Sequence, residues 1–101
     1  ALYQTMEREQ DKYRKWLVQC PPEEILSHAY EYAVCEDILM AMEELNLPDD
    51  QAMALLKQRG PLDDVFKDFI KLETDYMETV RGAIELCAER KAAKEQNREV
   101  R

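Results

Sequence analysis

The sequence predicts an all-α protein: three long helices and one short helix in an up-down-up bundle, with a long C-terminal helix as its organising element. Three observations lead there. Leu62, Val65, Phe66, Phe69, Leu72, Tyr76, Met77, Val80, Ala83, Ile84, Cys87 and Ala88 keep within about 80° of one line on a helical wheel. One helix over those 27 residues would be ~40 Å long, so earlier segments are expected to lie along it. The second observation is composition: 46% apolar with 36% charged residues suits amphipathic helices. The third is punctuation, since two Gly and four Pro are too few for a β-rich or disordered chain and most fall between periodic segments. At 101 residues the expectation is one domain with a modest core, residues 1–88, and a charged helical extension, 89–101.

A first helix is expected over residues 2–20, with Leu2, Met6, Tyr13, Trp16, Leu17 and Cys20 on one face. Glu9 and Gln10 sit at its margins, so the N-terminal half is expected to fray. Pro21-Pro22 ends it, because a residue before proline is pushed out of the α region. Pro22 then suits the first position of a second helix, with Glu23 and Glu24 at the positive end of its dipole.

That second helix is expected to reach about Leu45 with two apolar faces. Ile25, Leu26, Ala29, Tyr30 and Ala33 lie on one side; Val34, Ile38, Ala41, Met42 and Leu45 lie ~120° away. Either the helix is sandwiched between different neighbours or it bends near residues 33–36. The sandwich is favoured, because no Pro or Gly stands there.

Asn46-Leu47-Pro48-Asp49 is a turn, and Asp49 or a neighbour can cap a short third helix over about 49–59. Ala52, Leu55 and Leu56 form its buried side, and it is expected to bridge the second helix and the last. Gly60-Pro61 closes it, with Gly60 expected in the left-handed conformation. The long helix starts at Leu62. After Ala88 every face is polar, which predicts a projecting extension.

Charge is the feature with functional reach. Net charge is −8, and residues 21–56 hold nine carboxylates and no Lys or Arg: Glu23, Glu24, Glu31, Glu36, Asp37, Glu43, Glu44, Asp49 and Asp50. Such a field repels nucleic acid and anionic membranes and attracts basic surfaces, in a fast, salt-sensitive association. A solvated, solubilising surface is the bland alternative.

Other candidates are weaker. His28 stands four residues after Glu24 and three before Glu31, but a carboxylate-bridged metal pair needs a second such set, and this is the only His. Cys20, Cys35 and Cys87 form no CxxC pair and read as small buried hydrophobes in a reducing compartment. Glu73 falls near the centre of the apolar stripe, where a carboxylate needs a partner such as His28, Arg14, Lys15 or a tyrosine, or a place at the bundle's edge. Trp16, Phe66, Phe69 and Tyr76 match core spacing, and Met40, Met42, Met53 and Met77 read as core filling. There is no Gly-rich phosphate loop and no nucleophile near the His, so no enzyme activity, metal or cofactor is expected. No apolar run approaches the ~18 residues of a membrane span, and no signal-peptide pattern is visible in these residues.

Several runs carry a family resemblance: Trp16-Leu17, Pro21-Pro22-Glu23-Glu24-Ile25-Leu26-Ser27-His28-Ala29-Tyr30-Glu31-Tyr32, Glu36-Asp37-Ile38-Leu39, Ala54-Leu55-Leu56-Lys57, and Pro61-Leu62-Asp63-Asp64-Val65-Phe66-Lys67-Asp68-Phe69. Over about residues 2–90 the chain resembles a domain-of-unknown-function family of small proteins encoded on conjugative and other mobile elements of gut Gram-positive anaerobes. Residues 21–32 are the most specific part. The resemblance implies a bacterial cytoplasmic setting and a mobile-element context, and it brings no established activity, so no functional residue is carried over. The expectation is a small acidic binding protein that engages a basic protein partner, as a nucleic-acid mimic or anti-defence inhibitor. The alternative is an assembly protein, a homodimer joined through the long C-terminal helix.

Overall fold

The computed structural model describes residues 1–72 and 75–99. It is all-helical, with no strand among the described residues and five helices rather than four: α1 (Leu2–Leu17), α2 (Pro22–Glu44), α3 (Asp49–Leu56), α4 (Pro61–Leu72) and α5 (Tyr76–Glu99). The chain divides into two compact units, residues 1–70 and 71–101.

The stretch expected as one long helix is two. α4 ends at Leu72, Asp75 is non-helical, and the Thr79 amide donates to the Asp75 carbonyl at 2.8 Å as the first bond of α5. Asp75-Tyr76-Met77-Glu78 explains the new start, because an N-cap residue followed three positions later by Glu is a capping-box pattern. Nor is α5 the organising element. From Tyr76 to Gln96 only Val80 is half-buried, and the rest of the second half of the apolar stripe is exposed. Glu73 lies outside the described residues.

The core of the first unit gathers on α1 instead. Leu2, Met6, Cys35, Leu39 and Leu62 form one buried cluster, with Ile38, Met42, Leu55, Val65 and Phe66 packed against it. α1 touches both α2 and α3. The short helix therefore packs on α1, where a bridge between α2 and the last helix was expected. The reason lies in spacing: Leu2, Met6 and Gln10 recur every fourth residue and make one buried line along α1. Trp16, Phe69 and Tyr76, which match core spacing, are exposed, as are Met40, Met53 and Met77. Spacing marks a face that could be buried, and it does not supply the element that buries it.

The punctuation acts as its chemistry requires, with local differences. α1 stops at Leu17, three residues early, because Gln19 and Cys20 donate to the carbonyls of Trp16 and Leu17 in a tightening last turn. Pro22 holds the first position of α2, and Ile25 donates to the Pro21 carbonyl at 3.1 Å. α3 is capped by the Pro48 carbonyl, which takes the amides of Gln51 and Ala52, and no side chain caps it. It ends at Leu56, with Lys57 right-handed, and Gly60 has no positive φ. Gly60 instead heads α4, where its carbonyl accepts the Asp64 amide at 2.9 Å.

Candidate functional site

The nine carboxylates of residues 21–56 split into two sets. Three point at α1. Tyr3 donates its hydroxyl to Glu43 Oε1 at 3.0 Å, Gln10 Nε2 donates to Glu36 Oε1 at 3.0 Å, and Tyr13 donates its hydroxyl to Glu31 Oε2 at 2.7 Å. As the α1 number rises the α2 number falls, so the two helices run antiparallel and these bonds fix their register. Gln10 also donates to the Tyr32 carbonyl at 3.2 Å. It is 4% exposed, and its Oε1 has no partner. Buried side-chain amides are normally bonded at both ends, so the Gln10 site is held by its donors alone.

The other six, Glu23, Glu24, Asp37, Glu44, Asp49 and Asp50, are exposed on α2 and α3. Glu36 and Glu43 are exposed as well, so eight of the nine are open to a partner and only Glu31 is half-buried. Beside α2, a groove of about 320 Å³ is lined by Glu7, Asp11, Glu36 and Glu43, with the Arg14 cation among them. Its sign extends the acidic field onto α1.

His28 joins an aromatic cluster at one end of the helix pair. Its ring stacks edge-on to Trp16 at 5.4 Å and to Tyr13 at 6.2 Å, and its Nδ1 lies 3.6 Å from Glu31 Oε2. Among the described residues no group of three or more His, Cys, Asp and Glu converges as a metal site would require. The cysteines depart from the expected pattern. Cys35 is buried, Cys20 is half-buried and Cys87 is exposed on α5. Burial, then the charge of Glu31, pushes the Cys35 thiol up to about 12, which makes it inert near neutral pH.

Sequence reasoning missed the α1 partners. Tyr3, Gln10 and Tyr13 bond α1 to α2, and Glu9 caps α4, accepting the amides of Leu62 and Asp63 at 2.9 Å each. A signal did exist: Tyr3, Gln10 and Tyr13 flank Met6 at helical spacing with side chains that are polar only at their tips.

The tyrosines give a pH prediction. Burial, then the bond to Glu31, raises the Tyr13 hydroxyl well above the phenol range. Burial and Glu36 raise Tyr32, and the bond to Glu43 raises Tyr3. A group with a raised folded pKa gives stability that is complete below its unfolded value, about 10, and that is lost as pH rises from there through the folded value. Thermal midpoints are therefore expected to fall as pH rises above about 10, and Tyr13→Phe is expected to flatten that slope. Equal slopes in the two proteins would remove Tyr13 from the interface energetics.

No helix among the described residues is long and apolar enough to cross a membrane. Fold and surface together define a class: a small all-α protein with an antiparallel helix pair and an outward acidic face. The chain belongs to the family described as "Protein of unknown function (DUF3848)", whose model matches residues 1–92. No curated protein and no solved structure matches it.

Proposed function

We propose that this protein is a non-enzymatic binding protein whose acidic face engages a basic protein partner. In this reading it works in a bacterial cytoplasm, is carried by a mobile element, and competes with nucleic acid for a defence protein. The observation that carries it is the exposure of eight of the nine carboxylates in a segment with no Lys or Arg. Opposed charge of that density speeds encounter and makes it salt-sensitive. The test is a tagged capture from nuclease-treated bacterial lysate, eluted by raising salt from about 0.1 M to 0.5 M, where screening tightens from ~10 Å to a few ångströms. A basic nucleic-acid-handling protein is expected in the high-salt fraction. Reversing Glu23, Glu24, Asp37 and Asp49 to Lys is expected to abolish its capture. Unchanged capture by that variant would reject the electrostatic mechanism.

Assembly through the C-terminal helix is a second reading, favoured by one observation: Tyr76, Met77 and Ile84 are exposed on α5. Light scattering reads it directly, as a dimeric mass at micromolar concentration.

A further inference from the structure

α2 carries an outward seam. Leu26, Tyr30, Ala33, Asp37 and Met40 follow one another at alternating steps of four and three residues, the spacing of a coiled-coil seam. All five are exposed, Leu26 at 75% and Met40 at 64%. α5 carries a seam with the same alternation in the same phase: Val80, Ile84, Cys87, Lys91 and Lys94. Ile84 is 62% exposed, and Cys87, Lys91 and Lys94 are exposed as well.

Laid parallel, the two seams match layer by layer. Leu26 meets Val80, Tyr30 meets Ile84 and Ala33 meets Cys87, so apolar side chains fill the first layers. Asp37 then meets Lys91, and Lys94 comes beside Met40 and the Glu43-Glu44 pair. The acidic end of one seam thus faces the basic end of the other, and an antiparallel arrangement would set Lys91 and Lys94 against Leu26 and Tyr30.

We infer that α5 of one copy of this chain docks in parallel along the exposed seam of α2 of a second copy. This rests on the self-association reading and names the surface that the C-terminal helix occupies. Exchange in both directions would close a twofold dimer that contains the seam twice. A seam of four turns is short, so association is expected in the micromolar range.

The test uses the full chain. Sedimentation is expected to show a dimer that Asp37→Lys or Lys91→Asp weakens by roughly tenfold, with the double reversal restoring it. Ala33→Cys under a mild thiol oxidant is expected to link to native Cys87 as a covalent dimer, and Cys87→Ser is expected to abolish the link. These positions are exposed, and circular dichroism confirms that each variant is folded. A dimer indifferent to both reversals but lost in Ile84→Ser would overturn the α2 seam and leave self-association standing. A monomer at every concentration would overturn both. In the Ala33→Cys variant, a link to Cys87 formed within one chain would overturn the second copy as occupant.

Discussion

Met6→Ala is expected to be the most damaging single truncation in the chain. Met6 is 0% exposed and sits among Leu2, Cys35, Leu39 and Leu62, so its removal leaves a cavity bordered by α1, α2 and α4. Emptying such a site costs about 2–5 kcal/mol, which is large against the roughly 5–15 kcal/mol that holds a small domain together. The core here is small, with eight buried apolar side chains among the described residues, Pro61 included, so the expected total is at the low end of that range. A fall in thermal midpoint of at least roughly 10 °C is expected by circular dichroism. The informative control is Met77→Ala. Met77 is 55% exposed on α5, and its loss is expected to change stability by no more than about 0.5 kcal/mol. If both substitutions cost the same, the core would not be centred on α1.

That contrast shows what was legible before the structure. Three helix boundaries could be read at Pro21-Pro22, Pro48 and Gly60-Pro61, because proline acts through the local backbone and needs no partner. The all-α class was legible for the same reason, since amphipathic spacing is a local property. The centre of the fold was not. Periodicity shows that a helix has a face to bury, not that anything covers it. The stripe from Leu62 to Ala88 ran smoothly through Asp75, and its length outweighed the short start signal formed by Asp75 and Glu78. On α1 the error ran the other way. Glu9 and Gln10 stood at the margins of a weak stripe, yet Gln10 is buried and Glu9 is bonded to residues more than fifty positions away.

The acidic block was legible in sign and only half legible in role. Composition places nine carboxylates in residues 21–56, but the choice between inward and outward is made by α1. Glu31, Glu36 and Glu43 face Tyr13, Gln10 and Tyr3 and act as interface acceptors. Neither helix alone contains that information, because it follows from the register in which the two are paired.

Glu9 and Gly60 supply the second large effect, and here the expected result is a change of sign. Glu9 accepts the amides of Leu62 and Asp63 with its two oxygens, so one carboxylate satisfies two of the donors that the first turn of α4 leaves open. Glu9→Ala is expected to cost about 1–3 kcal/mol, the range of a lost cap that leaves partly buried amides without an acceptor. Gly60 lies under that carboxylate, and a Cβ built there would stand 2.9 Å from Glu9 Oε2. Its φ is not positive, so alanine meets no backbone strain. Most of the penalty of Gly60→Ala therefore comes from displacing Glu9, and in the native background it is expected to reach about 1 kcal/mol or more. Once Glu9 is alanine there is nothing left to displace. The lower unfolded-state entropy of alanine then works against its poorer fit at a helix start, and the same substitution is expected to fall within about 0.5 kcal/mol of neutral or become stabilising. Urea midpoints of the four proteins give the coupling, expected at about 1–2 kcal/mol. Additive losses would mean that Gly60 serves α4 independently of Glu9, and the contact between the N-terminal helix and the start of α4 would then not be what holds that end of the fold.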